Sequence, residues 1–239
     1  MVNGETAANG RLGIVFTGGE GPEPCAINVN LTAKPLIVAA DSGLFLAEEA
    51  GLPPDWIVGD MDSVDAERLA GHVPEKILRF HSDKDYTDTE LAISLLREKG
   101  CGPVWIIGGG GGRIDHLFGI RALFEREYPP ERWITAAEDI RCLQAPQQSA
   151  ARHSAGQKPC GALPSVLEFA SGSRAPLAPV SVFPLGDGPW EAESAGLKWP
   201  LAGLGWNRGF FGLSNEAPEG VFTIRVKQGR FMVILENRV

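Results

Sequence analysis

The sequence predicts an α/β protein in which a mostly parallel sheet with helices on both faces is followed by an antiparallel β-sandwich. In the first half, near-continuous apolar runs of strand length alternate with helical segments, which is typical of a parallel sheet covered on both sides. After Pro129 and Pro130 the pattern changes to short β-like runs punctuated by Gly, Pro, Ser and Asn. We therefore expect an α/β domain over residues 1–130 and a β-sandwich domain over residues 131–239.

The elements of the first half can be placed in order. Each predicted strand is an apolar run, and these runs cover residues 12–17, 36–40, 56–59, 76–80 and 103–107. The predicted helices cover residues 44–50, residues 64–70 with Ser63 or Asp62 as the cap, the apolar series from 91 to 96, and a segment headed by Arg113. Thr87 and Glu90 have capping-box spacing, so Thr87 is the predicted cap of the third helix and Asp88 lies in its first turn.

The second half is predicted to contain short strands. They cover residues 140–143, 166–170, 180–183, 221–226 and 231–235. The polar, small-residue-rich segment 145–164 is predicted to be a mobile loop between two of them.

Composition limits the possible partners and compartments. The formal charge of the 239 residues is -8 and there is no basic block, which argues against nucleic acid as a partner. The four cysteines show no C-x-x-C spacing, so we expect reduced thiols and no zinc site. The first residues lack a signal-peptide core and no stretch resembles a membrane span, so the expected location is the cytoplasm.

Two carboxylates, Asp60 and Asp62, follow the third predicted strand one residue apart. In extended backbone, positions i and i+2 point the same way, so both acids are expected to face one spot. Like charges that close favour a bound cation, and the oxygen-only ligands fit Mg²⁺, which usually also carries substrate phosphates. An acidic turn in water is the other interpretation of this pair taken alone.

Other features lie past the ends of neighbouring predicted strands. These are Asp41, Asp88 and the five glycines at 108–112. Ligands of open parallel sheets bind outside the carboxyl ends of the strands, so the set predicts a phosphate and metal site at that edge.

The glycine run has no G-K-[ST] after it and is not a Walker A motif, nor does it fit the dinucleotide fingerprint. It offers backbone that can approach a phosphate, followed by a helix start and Arg113 as a bidentate donor. Asp115 and His116 could contact substrate, or could cap or pack the helix.

Single motifs allow other interpretations. D-M-D-S-V also fits the aspartyl-nucleophile motif of haloacid-dehalogenase-type phosphatases, but there the motif follows the first strand, not the third. A D-x-D also holds the metal of nucleotide-sugar glycosyltransferases, which would leave K-D-Y-T-D and the glycine run without a role. In the second half, G-L-K-W-P and G-L-S-N-E taken singly fit an edge-packing Trp and a common turn.

Taken together, the motifs resemble those of the thiamine pyrophosphokinase family, in the order the family shows. They are A-D-S-G (40–43), G-D-M-D-S (59–63), D-K-D-Y-T-D (83–88), G-G-G-G-G-R-I-D-H (108–116), G-L-K-W-P-L (196–201) and G-L-S-N-E (212–216). The sequence departs from the family at Ser42, where Gly is frequent, and at Ile120, where Asn is common.

The resemblance implies transfer of a pyrophosphoryl group from ATP to the hydroxyl of thiamine, with AMP leaving, by a homodimer whose active sites lie between subunits. It implies that Asp41, Asp60, Asp62 and Asp88 hold Mg²⁺. Lys84, Arg113 and the backbone of Gly110, Gly111 and Gly112 would bind phosphates. Trp199 would stack on thiamine, from the other subunit, and Ser214, Asn215 and Asp115 would hydrogen-bond its pyrimidine.

Two alternatives remain open from the sequence. One is the same chemistry on another alcohol, such as a hydroxymethylpterin. The other is a non-catalytic thiamine- or nucleotide-binding sensor, against which the complete carboxylate set argues.

Overall fold

A ten-stranded sheet and a three-stranded sheet form the framework of the protein. The computed structural model describes residues 10–24, 27, 34–81, 83, 85–146, 162–170 and 177–236. The strands are β1 Arg11–Thr17, β2 Leu36–Ala40, β3 Trp56–Gly59, β4 Ile77–Arg79, β5 Cys101–Gly108, β6 Arg132–Ile134, β7 Glu138–Gln144, β8 Val166–Ala170, β9 Leu177–Leu185, β10 Glu191–Ala195, β11 Gly212–Ala217, β12 Val221–Gln228 and β13 Arg230–Glu236. The helices are α1 Gly43–Glu49, α2 Ala66–Leu69, α3 Asp88–Glu98 and α4 Ile114–Leu123.

The large sheet has a parallel half and an antiparallel half. Its order is β11-β9-β13-β7-β6-β5-β1-β2-β3-β4, and the six strands from β6 to β4 are mutually parallel. From β7 onward, the strands pair antiparallel. The separate sheet has the order β10-β12-β8. These features confirm the predicted fold class.

Helices cover both faces of the parallel half, as predicted. Ala92 and Leu96 of α3 pack on Val15 and Val38, whereas Ala47 of α1 packs on the opposite face. The middle strands are apolar along their length because both of their faces are buried: all five residues of β2 are buried.

The antiparallel half forms the sandwich. Its inner face and the three-stranded sheet share one apolar core, which includes Val182, Phe222, Ile224 and Phe231. On the outer face, Cys142 and Met232 pack with Leu123 of α4. Helix α4 therefore covers the junction between the two halves.

The sheet continues across the predicted domain boundary. Strand β6 lies after residue 130 yet pairs parallel with β5, and β7 turns back along it. At this turn Asp139 binds both Arg132 and Arg141, at 2.8–2.9 Å. The division into 1–130 and 131–239 stays a prediction.

Several local predictions need correction. The helix predicted over 64–70 is only Ala66–Leu69, and Asp65 rather than Ser63 or Asp62 occupies its N-cap position. Residues 62–64 form bends instead of the predicted first turn, and the Ser63 hydroxyl donates to Asp62, at 2.8 Å. Strands β6, β10 and β11 were not predicted, because they are short or polar: β11 reads G-L-S-N-E-A.

Some predictions fall on residues outside the described ranges. Most of the predicted loop 145–164, along with Cys25, Cys160 and Lys84, belongs to this group. Cys101 and Cys142 are buried, free thiols, and burial raises the pKa of Cys142 to about 12. Within the described part of the chain, no helix is long and apolar enough to cross a membrane.

Candidate active site

The carboxyl ends of the parallel strands lie side by side and carry the predicted acidic residues. In register, Thr17 of β1 stands beside Ala40 of β2 and Gly108 of β5, and Ala40 stands beside Val58 of β3. Asp41 and Asp60 therefore leave the sheet from adjacent strands, as the alternation of elements predicts.

Asp41, Asp60 and Asp62 form one cluster. Each offers a carboxylate oxygen, and these oxygens all lie within 4.8 Å of one another. Oxygen ligands of an octahedral Mg²⁺ ion lie about 3.0 Å apart when adjacent and about 4.2 Å apart when opposite, so the three oxygens would have to move closer by up to about 2 Å to share such an ion. The predicted convergence of these acids is present in the structure.

The prediction of extended backbone between Asp60 and Asp62 is wrong. Met61 between them has φ 64 and is buried, with 6% of its surface exposed. Its left-handed conformation turns the chain, so its side chain enters the core near Val64 and Leu69. The two flanking carboxylates stay outside that core.

Asp41 is held in place by its backbone. Its backbone N–H donates to Val58, at 2.9 Å, and its φ is 46. Burial raises the pKa of this carboxyl; hydrogen bonds from Ser63 and from the Ser42 backbone oppose that rise, and the charges of Asp62 and Asp88 add to it. The net pKa lies above its ordinary value.

One oxygen of Asp41 supports a cation site. Among the described residues, its buried Oδ1 has no hydrogen-bond partner. A buried, unpartnered carboxylate oxygen beside two further carboxylates is what a metal ligand looks like before the metal binds. The residues therefore fit the Mg²⁺ ion that the resemblance implies.

Helix α3 begins with Asp88, which lies near Asp41 but is not one of the three acids whose oxygens lie within 4.8 Å of one another. Thr87 caps this helix in a full capping box with Glu90, as predicted. The hydroxyl groups of Thr17 and Thr89 are 2.8 Å apart and buried, which ties the start of α3 to the end of β1. Asp88 is thus held close enough to raise the pKa of Asp41.

The glycine run lies two strands from Asp41, or about 10 Å at the usual strand spacing. Gly110 and Glu20 exchange two backbone hydrogen bonds, at 2.7 and 2.9 Å, so the Gly110 N–H is already engaged. Gly111 and Gly112 are exposed and have φ 62 and 64, which suits glycine.

Arg113 and Asp115 form an exposed ion pair at the head of α4. The Arg113 guanidinium donates to both carboxylate oxygens of Asp115, and it lowers the pKa of Asp115. His116 is exposed. Ile120, one of the departures from the family, is buried below the run, where a Cβ on Gly109 would lie 2.4 Å from its Cδ1.

The other departure, Ser42, borders a cavity of about 450 Å³ next to Asp41. The turn after β1 and the exposed side of α1 line it, through residues that include Glu20, Glu23, Phe45 and Glu49. Gly18 lies close to this serine: a Cβ at position 18 would lie 2.2 Å from the Ser42 Oγ, so the Ser42 side chain would have to rotate away.

The remaining predicted residues lie on or beside β11, the outermost strand at the antiparallel end of the large sheet. Trp199 is 52% exposed, and Ser214 and Asn215 belong to β11, the outermost strand. Seven strand spacings separate β11 from β2, which corresponds to roughly 30 Å. One chain therefore does not bring Trp199, Ser214 and Asn215 to the acidic cluster.

Sequence reasoning missed several contacts around these residues. Ser63 was expected to cap a helix but binds the acidic cluster. Lys198 pairs with Glu216 at 2.9 Å, and its ammonium lies 4.4 Å from the centre of the Trp199 ring. Ser63 and Lys198 both lie inside the motifs quoted for the family resemblance, and that position was the available sign that they belong to the site.

The fold and the site define an α/β protein in which a carboxylate cluster and a glycine run lie past the carboxyl ends of parallel strands, where open parallel sheets bind their ligands. Residues 28–130 match the family described as "Thiamin pyrophosphokinase, catalytic domain". This match confirms the resemblance for that part of the chain.

Individual relatives agree with the family match. The chain is 32% identical over 87 residues to thiamine pyrophosphokinase of Bacillus subtilis (strain 168), a stretch that spans 35% of this chain and 40% of that relative. Less than half of the relative's length is therefore matched.

Solved structures extend the likeness of fold to nearly the whole chain. The Bacillus subtilis thiamine pyrophosphokinase structure has a TM-score of 0.70 at 21% identity, covering 96% of this chain and 100% of that one. The Geobacillus thermodenitrificans structure gives 0.66 at 24% identity, covering 94% and 96%. The Candida albicans structure gives 0.62 at 17% identity, covering 95% and 89%. At these identities the likeness shows a shared fold.

Proposed function

We propose that the protein transfers a pyrophosphoryl group from ATP to the hydroxyl of thiamine, giving thiamine diphosphate and AMP. The observation that carries this proposal is the cluster of Asp41, Asp60 and Asp62 within the segment that matches the thiamin pyrophosphokinase catalytic domain. The named relative from Bacillus subtilis supports the choice of thiamine as acceptor.

The proposed reaction exchanges one P–O bond for another. The thiamine hydroxyl oxygen attacks the β-phosphorus of ATP, the bond from that phosphorus to the α–β bridging oxygen breaks, and AMP leaves with that oxygen. A carboxylate of the cluster or a water takes the hydroxyl proton. A bound Mg²⁺ would neutralise charge on the phosphates, and positioning with charge neutralisation supplies most of the rate gain in such reactions.

The chain's own residues have distinct proposed roles. Asp41, Asp60, Asp62 and Asp88 would hold a Mg²⁺ ion, and the unpartnered Asp41 oxygen supports that role. Exposed backbone at Gly111 and Gly112 can approach a phosphate, and Arg113 can exchange Asp115 for one. The contribution of Gly110 is close packing against Glu20. The cavity beside Ser42 suits the nucleoside, since its glutamates can accept from ribose hydroxyls.

Thiamine recognition requires a second copy of the chain in this proposal. Thiamine is a flat cation, for which the exposed Trp199 ring is an apt partner. Trp199 and Ser214 lie about 30 Å from the acidic cluster within one chain, so a neighbouring subunit must supply them. A homodimer with two shared sites meets this requirement.

Exposed apolar side chains beside both halves of the site support the same arrangement. Helix α4 exposes Ile114 (66%) and Phe118 (64%), and the far edge exposes Leu213 (57%). Large apolar side chains of this exposure, grouped beside predicted site residues, are typical of surfaces that become buried on association.

The test is an assay of purified protein with ATP, Mg²⁺ and thiamine, followed by chromatography of the products. We expect AMP and thiamine diphosphate in equal amounts, and no AMP release when Mg²⁺ is chelated. Release of AMP with a hydroxymethylpterin and none with thiamine would show that the acceptor is a pterin alcohol and not thiamine. Binding of thiamine without any AMP would indicate a sensor instead.

A further inference from the structure

We propose that Asn215 is a positioning residue that holds the Trp199 ring in place, rather than a ligand of the substrate. The proposal rests on the proposed function, in which Trp199 stacks on thiamine. It differs from the expectation drawn from the motif, in which Asn215 hydrogen-bonds the pyrimidine.

The Asn215 carboxamide binds both backbone polar groups of Trp199. Its Oδ1 accepts from the Trp199 N–H at 3.2 Å, and its Nδ2 donates to the Trp199 carbonyl at 2.7 Å. The same oxygen also accepts from the backbone N–H of Glu216, at 2.8 Å. Asn215 is only 7% exposed, so these bonds are largely shielded from water and hold their geometry well.

The segment around Trp199 needs such an anchor. Residues 196–202 have no helix or strand, so their backbone groups must find other partners. Leu197 and Leu201 are buried on either side, at 9% and 2% exposure, whereas Trp199 is 52% exposed between them. The core therefore holds the two flanks, and Asn215 holds the exposed tip.

A neighbouring pair of residues reinforces the tip from outside. The Lys198 N–H donates to the Glu216 carbonyl, at 2.8 Å, and the two side chains form an ion pair that is half exposed. Such exposed pairs contribute little. The buried carboxamide of Asn215 is thus the stronger constraint on where the ring points.

Asn215→Ala is expected to raise KM for thiamine about ten-fold, close to the full value of a cation–aromatic contact. KM for ATP and kcat should change less than about two-fold, because in the proposed site Trp199 contacts thiamine, whereas the acidic cluster and the glycine run hold ATP. Asn215→Asp keeps the size and an acceptor oxygen, and it serves if the alanine variant does not fold. Asn207→Ala is the control, because Asn207 binds two backbone groups of another turn, at Gly205 and Gly209.

A double-mutant cycle separates positioning from direct contact. If Asn215 acts through the ring, then Asn215→Ala has no further effect on KM for thiamine in a Trp199→Ala background. An equal increase in both backgrounds would show a direct substrate contact and overturn the proposal. So would an unchanged KM in the single variant.

A measurement without substrate keeps this inference separate from the proposed function. Asn215→Ala should speed hydrogen exchange of the Trp199 amide in the free protein, and Asn207→Ala should not. If the wild-type protein fails to act on thiamine, the proposed function falls, and the exchange result alone decides whether Asn215 positions Trp199. An unchanged exchange rate of the Trp199 amide in Asn215→Ala would refute the positioning role of Asn215.

Discussion

Three non-glycine residues in the described part of the chain have a left-handed backbone, and all three lie in the site motifs. They are Asp41, Met61 and Ser214, with φ of 46, 64 and 54. Such a conformation costs on the order of 1–3 kcal/mol for each residue. Their surroundings hold them there: the Asp41 N–H donates to Val58 and the Ser214 N–H donates to Ser181. The strain is concentrated where side chains must be aimed.

At the same scale, Asp60→Asn or Asp62→Asn should abolish AMP production while the fold survives. Each change removes one charge from the cluster without changing its volume, and carboxylates are the ligands that Mg²⁺ requires. Circular dichroism checks the fold, and AMP release with Mg²⁺ and ATP checks activity. Asp65→Asn is the matched control, because Asp65 is an exposed acid of the same loop that makes no side-chain cap bond. Wild-type turnover in either cluster variant would refute the metal assignment.

Asp139 is a buried acid whose ionisation contributes to stability. Burial raises the pKa of its carboxyl, but Arg141 and Arg132 outweigh burial, and the net pKa is below its ordinary value of 3.8. A depressed pKa means that the charged form stabilises the folded state above the unfolded pKa. That contribution is lost as the pH falls below about 3.8 and through the folded pKa.

Asp139→Asn should therefore lower the free energy of unfolding at pH 7 by about 3–5 kcal/mol, because it leaves two arginines without their counter-charge. The gap to wild type should narrow as the pH falls below about 4. Urea unfolding of wild type and variant at pH 7 and below about pH 4 measures this difference in free energy. Glu193→Gln, which removes an exposed partner of Arg225 and Lys227, should change stability by less than about 1 kcal/mol. A constant gap across pH would contradict the assignment.

At the scale of elements, the contact of α1 with β1 fixes Asp41. Gly43 begins α1 two residues after Asp41, and a Cβ there would lie 2.2 Å from the Phe16 carbonyl oxygen. That oxygen belongs to a buried strand and cannot move aside cheaply. The glycine is therefore required for close approach of helix and strand.

Gly43→Ala should push α1 away from β1, lower the melting temperature and weaken Mg²⁺-dependent activity, because Asp41 shifts with the helix. An overpacked core site of this kind costs about 1–3 kcal/mol. Gly119→Ala, in α4, is the control: a Cβ there meets nothing within 4 Å, and alanine favours helix by up to about 1 kcal/mol. Thermal unfolding and AMP release report the two effects. If Gly43→Ala melts like wild type, the close approach has no role.

The sequence predicted the buried parallel strands well because their signal is local. Residues 36–40 form an apolar run that must be covered on both faces, and β2 has those bounds. Strand β11 could not be found this way, because its residues are polar and it pairs with β9 at a distant position in the chain. The cap at Thr87 was predictable since both partners lie within one helical turn.

In the candidate site, too, features with a local sequence signal were predictable and features that depend on distant contacts were not. The acidic residues follow strands whose order can be inferred, so their convergence was predictable. The reason given for Asp60 and Asp62 was wrong, since it assumed extended backbone and Met61 is left-handed. The bond between Asn215 and Trp199 depends on how the loop around Trp199 meets the outermost strand β11, which no local pattern encodes.

At the scale of the whole molecule, the continuous sheet separates two sets of residues that the proposed reaction needs together. The acidic cluster lies near one end of the strand order and Trp199 near the other. A rigid sheet cannot fold back to join them, so the account requires that each active site combine residues of two chains.

Mixing two defective variants tests this claim most directly. Asp60→Asn removes one carboxylate of the acidic cluster, and Trp199→Ala removes the ring proposed to stack on thiamine. Each variant is first assayed alone, at thiamine concentrations below the wild-type KM. Because a mixed dimer carries one site with both parts intact, subunit exchange between the two should restore roughly a quarter of wild-type AMP release. If the mixture is no more active than its separate components, the acids and Trp199 do not meet across a subunit interface, and the account is contradicted.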